Sequence, residues 1–134
     1  MSLLVVAAAV LREAPGGEVL LTKRLDEGHL ANRWEFPGGK VEDGEAPEAA
    51  GVRECFEECG IAIRVEDILD VAWHPYPHRE ILLLFYDCRS LNGTRPEVQH
   101  LEVADHAWVA VDQLAAFDLP PPDARLIAKL QAGR

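Results

Sequence analysis

A chain of 134 residues with 49% hydrophobic content is sized for one domain with a genuine core, expected to span residues 1–134. Its formal net charge of −10, with no basic stripe, argues against a nucleic acid polymer or an anionic membrane as partner. It leaves room for a nucleotide, whose phosphates can be met by metal ions and a few local Arg or Lys groups.

Leu3–Arg12, nearly continuous in Val, Leu and Ala, reads as a buried strand. The apolar stretch Leu3–Leu11 lacks a basic start and is too short to span a bilayer. Ala14-Pro15-Gly16-Gly17 is a turn, and Glu18–Lys23 returns as a second strand, so a hairpin is expected. Arg24–Arg33 is a polar loop. Pro47 suits the first turn of a helix and Gly60 its end, with Ala49, Val52, Phe56 and Cys59 as an apolar stripe flanked by Cys55. Ala46 is a poor N-cap, so Glu45 is expected to help from just outside the helix. Ile61–Val65 and Ile68–Trp73 are strands interrupted at Glu66-Asp67, and Pro75 and Pro77 mark a turn. Glu80–Arg89 is a strand buried on both faces; Leu91–Glu102 is a loop; His106–Val111 is a strand. Asp112 caps a short helix through Ala116, and Asp123–Gln131 is a terminal amphipathic helix. The order of elements predicts an α/β fold with a mixed sheet between helices.

Three cysteines lack zinc-type pairing. Cys55 and Cys59 read as core thiols and Cys88 as a strand residue, which fits a reducing cytoplasm. His29, His74, His78, His100 and His106 make no metal-spaced set on one element, and Pro75 and Pro77 prevent a helical His74/His78 pair.

The most informative positions lie on the central helix. Glu54, Glu57 and Glu58 stand at i, i+3 and i+4, which places three carboxylates on one face. Their repulsion would weaken the helix unless a divalent cation sat among them, and hard oxygen ligands suit Mg²⁺ or Mn²⁺ rather than zinc. The plainer alternative is a solvated acidic face.

Gly39, Glu45, Arg53, Glu54, Glu57, Glu58 and Gly60, followed by Ile61, fill the fixed positions of G-x5-E-x7-R-E-U-x-E-E-x-G-U, where U is bulky and apolar. Only Cys55 departs, as a small hydrophobe at the first U. This run resembles the Nudix box, and the resemblance extends over nearly the whole chain to the MutT-type branch through His29–Lys40 and Leu126–Leu130. It implies the Nudix α/β/α sandwich. It also implies that the metal ions take Glu54, Glu57, Glu58, the Gly38 carbonyl and Glu102 from the loop before the last strand, while Arg53 orients the helix carboxylates. Glu54 or Glu102 is the general base. Arg24 and Arg79 align with positions that meet phosphate or base, and His29, Glu35 and Phe36 border the substrate. Where that branch carries Asn after a proline pair, this chain has Pro121-Pro122-Asp123. Ionised Asp only accepts hydrogen bonds and favours an exocyclic amine, whereas a neutral carboxyl can donate as well. Asp123 could otherwise serve as the N-cap of the last helix.

The resemblance implies a Mg²⁺-dependent nucleoside triphosphate pyrophosphohydrolase acting as a monomer in the cytoplasm on a small-molecule nucleotide. 8-oxo-dGTP is the favoured substrate, in nucleotide-pool sanitation. Alternatives are CTP or dCTP, or an ADP-sugar or dinucleoside polyphosphate, for which Pro75, Tyr76 and Pro77 fall near the position that sorts those families. A non-catalytic nucleotide-binding module should have lost carboxylates that are intact here.

Overall fold

The computed structural model describes every residue except Met1, Asp26, Glu27, His29, Leu30 and Thr94. The strands are β1 (Leu3–Leu11), β2 (Val19–Lys23), β3 (Trp34–Glu35), β4 (Gly38–Lys40), β5 (Ile63–Tyr76), β6 (Arg79–Ser90) and β7 (Asp105–Val109); the helices are α1 (Pro47–Cys59) and α2 (Ala124–Gln131). One sheet has the order β4-β1-β6-β5, with β1 and β6 parallel and the other pairs antiparallel. A smaller antiparallel sheet places β2 between β3 and β7.

The alternation of side chains across β1 divides the core. Ala7 and Ala9 pack with Cys55 and Cys59 of α1, while Ala8 and Val10 pack with Phe85, Leu126 and Leu130 on the α2 side. A strand covered on both faces has no use for a polar residue, hence its continuous apolar run. That same run misled the hairpin expectation. The Gly17 N–H closes the turn on the Ala14 carbonyl at 3.0 Å, but the chain then crosses to the second sheet, and Leu3 pairs instead with distant Glu80. With no polar face on β1, nothing local specifies its partner.

The break expected at Glu66-Asp67 is a pair of register shifts within one continuous β5, at Val65/Asp67 and Ile68/Asp70. Buried Asp70 there accepts from Arg125 Nε and Lys129 Nζ, each at 3.0 Å, clamping α2 to β5. Burial opposes its charge, but the two cations outweigh burial and hold the carboxyl below its usual range. A second ionic lock is Arg12, 2% exposed, whose Nε donates to Asp87 at 2.9 Å and whose Nη1 donates to the Arg134 carbonyl at 2.6 Å.

Helix α1 ends as its sequence indicates. Gly60 adopts φ 69°, and its N–H bonds the Phe56 carbonyl at 2.9 Å. Its N-terminus has no side-chain cap, and Glu45 instead accepts from the Glu42 N–H at 3.1 Å. The buried face is also rotated from the expected stripe. Ala50, Gly51, Cys55, Glu58 and Cys59 are buried, whereas Ala49 is exposed and Phe56 is 57% exposed. Small Ala50 and Gly51 allow the helix to lie close on β1, with the Gly51 backbone facing Ala7. No described helix is long and apolar enough to cross a membrane.

Candidate active site

Placing Glu58 on the buried side of α1 gives the three carboxylates different surroundings. Glu57 is exposed, Glu54 is half-buried, and Glu58 is 9% exposed. The Glu58 Oε1 accepts from the Gly38 N–H at 3.3 Å. Burial, reinforced by the nearby Glu35 and Glu54 carboxylates, pushes Glu58 up to about 9. Close approach of β4 is built into the glycines. A Cβ on Gly39 would come 2.5–2.8 Å from the Glu54 carboxyl atoms, and one on Gly38 would overlap the Ala7 backbone carbonyl.

Arg53 joins the loop to the helix. Its Nε and Nη2 donate to Glu45 at 2.7 and 3.0 Å, its Nη1 to Glu54 at 2.9 Å and to Glu57 at 3.2 Å. The expected i, i+4 contact with Glu57 is therefore present, but Glu45 receives the closest, two-pronged pairing. Hydrogen bonding to Arg53, with help from the Glu42 N–H, lowers the Glu45 carboxyl below its usual range.

A cavity of about 390 Å³ runs from Gly38, Gly39 and Glu54 to Asp123, walled by Phe36, Phe85, Pro120 and Pro122. Phe36 and Phe85 meet edge to face at 6.1 Å. A second cavity, of about 250 Å³, is lined by Glu58, Glu102, Leu25 and Val103, and Arg24 and Glu35 line both. Arg24 Nη1 donates to Glu35 at 3.2 and 3.4 Å. Its Nε is buried with no partner among the described residues. Burial raises the Glu35 carboxyl despite Arg24, and Glu54 adds to the rise. Glu102 is carried by a loop docked on the end of α1, where the Leu101 and Glu102 N–H groups donate to the Glu58 carbonyl at 3.1 and 3.2 Å.

Asp123 ends a 3₁₀ turn, Pro121–Asp123, and is 5% exposed. It makes no side-chain cap to α2, because its φ of −82° and ψ of −7° already lie in the helical region. Its carboxyl faces the apolar cavity instead. Burial, with the Glu35 charge second, pushes it up to about 7.

Of the positions expected from sequence, Arg24, Glu35, Phe36, Gly38, Glu54 and Asp123 line the larger cavity, and Glu58 and Glu102 the smaller. Glu57 and Arg53 line neither. Arg79 is not in the cavity wall; it is exposed at the start of β6, on the strand face shared by Ile81, Leu83 and Phe85, which do line it. The expectation for His29 lies outside the described residues. Sequence reading missed the wall formed by Leu83 and Phe85, although the period of two along β6 could have separated them from Leu84 and Tyr86.

A family model for the NUDIX domain matches residues 3–130. An 8-oxo-dGTP diphosphatase of Escherichia coli (strain K12) is 36% identical over 98% of this chain and 98% of its own length. A CTP pyrophosphohydrolase of the same strain is 32% identical, covering 97% of this chain and 92% of that protein. In fold, the chain is similar to a MutT protein from Methanosarcina mazei Go1, with a TM-score of 0.83 and 23% identity over 98% of this chain and 94% of that one.

Proposed function

The chain belongs to the NUDIX family and is a hydrolase of phosphoric anhydride bonds, and from that premise we propose that it is a Mg²⁺-dependent pyrophosphohydrolase selecting 8-oxo-dGTP. The observation that carries the substrate is Asp123. A carboxyl pushed up to about 7 keeps a substantial neutral fraction near neutrality. A neutral carboxyl donates through its O–H and accepts through its other oxygen, which matches the adjacent carbonyl and N–H of an 8-oxopurine. Phe36 and Phe85 supply the apolar walls a base requires. The 36% identical relative carries the corresponding name.

The donor set fits the divalent metal that the family requires. Glu54, Glu57, Glu58 and Glu102 are all hard oxygen donors, and the buried Glu58 carboxyl accepts from the Gly38 N–H and lies beside the Glu54 carboxyl. These four residues and the Gly38 carbonyl would hold Mg²⁺, with Mn²⁺ as a substitute. The bound metal would neutralise phosphate charge and ease deprotonation of water.

Glu54 is the residue best placed to take the proton from the attacking water, because it alone of the four carboxylates lines the cavity that also holds Asp123. Arg53 keeps that carboxylate oriented at 2.9 Å. The oxygen of water bonds to phosphorus, the bridging P–O bond breaks, and nucleoside monophosphate and pyrophosphate leave. Arg24, whose buried Nε has no partner among the described residues, and exposed Arg79 serve the phosphates. The unit acts as a monomer in the cytoplasm, where three buried free cysteines would stay reduced.

The CTP reading has its own support in the 32% identical relative and in the ionised fraction of Asp123, which would accept from a cytosine amine. The test is kcat/KM for 8-oxo-dGTP and dCTP with Mg²⁺ at neutral pH. The expected ratio is about tenfold or more toward 8-oxo-dGTP, the worth of one base contact. A ratio favouring dCTP would transfer the chain to the CTP reading. No turnover of any nucleotide with Mg²⁺ or Mn²⁺ would remove the hydrolase mechanism altogether.

A further inference from the structure

Outside the cavities, His100, Asp105 and His106 bring one ligand atom each to within 4.8 Å of one another. No other set of three or more His, Cys, Asp or Glu side chains among the described residues meets that limit. The positions are held by backbone structure. His100 lies between Gln99, whose N–H donates to the Cys59 carbonyl at 3.0 Å, and Leu101, whose N–H donates to the Glu58 carbonyl. His106 is on β7, paired with Thr22 of β2. Asp105 and His106 are adjacent on a strand and would ordinarily point to opposite faces. Here Asp105 Oδ1 folds back to accept from the His106 N–H at 2.7 Å, which brings its carboxylate to the histidine side.

The two imidazoles approach with His100 Nε2 at 2.7 Å from His106 Nδ1. One shared N–H can bridge them. Opening that separation to about 3.3 Å would give the edge of a tetrahedron with Zn–N bonds of about 2.0–2.1 Å. The site is largely exposed, leaving water to complete the coordination.

We infer that His100, Asp105 and His106 form a site for a first-row transition dication, chemically separate from the glutamate site. Two imidazole nitrogens and one carboxylate suit Zn²⁺ or Ni²⁺, whereas Mg²⁺ prefers an all-oxygen shell. The ion would staple His100 to the start of β7. The segment between them carries Glu102 and Val103, which wall the smaller cavity, so occupancy would stiffen that wall from outside.

The test is calorimetric titration of the full chain with Zn²⁺ in excess Mg²⁺, comparing wild type with His100→Ala, His106→Ala and Glu57→Gln. Wild type should bind Zn²⁺, and each histidine variant should lose about tenfold or more in affinity for one equivalent. Glu57→Gln should bind as wild type does. His100→Gln, which keeps side-chain bulk on an exposed residue, repeats the comparison should the alanine variant fold poorly. Zn²⁺-induced thermal stabilisation should vanish with the same histidine variants. The inference is overturned if wild type takes no Zn²⁺, if the histidine variants bind it unchanged, or if Glu57→Gln is the variant that loses it.

Discussion

The proposed reading of the base by Asp123 makes substrate preference depend on pH. With Asp123 at about 7, the neutral form leads by about ten to one at pH 6 and trails by about one to ten at pH 8. The neutral form matches 8-oxo-dGTP, and the ionised form matches the amine of dCTP. If each form read only its own base, the ratio of the two kcat/KM values would fall about a hundredfold over that interval. A single base contact worth ~1–3 kcal/mol sets a realistic fall of about tenfold. Taking the ratio cancels the pH dependence of water activation, which both substrates share. Asp123→Asn removes the titration while keeping a donor and an acceptor. Its ratio should therefore be flat with pH and favour 8-oxo-dGTP throughout. The assay is pyrophosphate release from each nucleotide at pH 6, 7 and 8. A flat wild-type ratio, or the same slope in Asp123→Asn, would refute the assignment of base reading to this carboxyl.

Gly39→Ala should fold normally but lose most turnover, because the atoms nearest the added methyl are those of the Glu54 carboxylate, a side-chain end that can swing away from Arg53; Gly38→Ala should unfold the protein at lower urea, because its methyl meets the Ala7 backbone. Glu58→Gln should lower kcat by orders of magnitude yet raise the metal-free melting temperature at pH 8 by about 3–6 °C, a gain of about 1 kcal/mol. The sign follows from a folded-state carboxyl at about 9 against an ordinary 4.5: its contribution to stability is complete below 4.5 and is lost as pH rises through about 9. A melting curve of Glu58→Gln as pH-dependent as wild type over that window would count against it. Arg12→Leu should cost about 3 kcal/mol in urea unfolding, near the low end for a broken buried pair, since Asp87 keeps Arg89 at 2.6 Å.

What the sequence disclosed was local. The helix carrying Glu54, Glu57 and Glu58 is bounded by Pro47 and Gly60, and its periodicity fixes their common region without knowledge of any other element. Which side of that helix is buried was harder to read. Close packing favoured Ala50 and Gly51 over the bulkier Phe56, a choice that hydrophobicity alone points the wrong way. Partnerships between distant segments were not legible. β1 is apolar along its length and β2 opens with Val19-Leu20-Leu21, so their sequences do not say that they belong to different sheets. The environment of Asp123 is likewise tertiary: its sequence neighbours offer helix capping, and only the approach of Phe36 and Glu35 from elsewhere in the chain makes it a buried, protonatable group.

The division of the core by β1 has a consequence for how such a protein can change. The carboxylate helix packs on one face of the sheet, and the segment bearing Asp123 is carried by α2 on the other, clamped to β5 through Asp70. If Asp123 reads the base as proposed, mutations that retune base preference can accumulate around α2 without repacking the residues beneath α1. On that assignment, packing leaves selection room to vary the base-reading side of the protein with little disturbance of the helix that carries Glu54, Glu57 and Glu58, and Glu35, whose charge reaches both Asp123 and Glu58, is the position where a change would be felt on both sides.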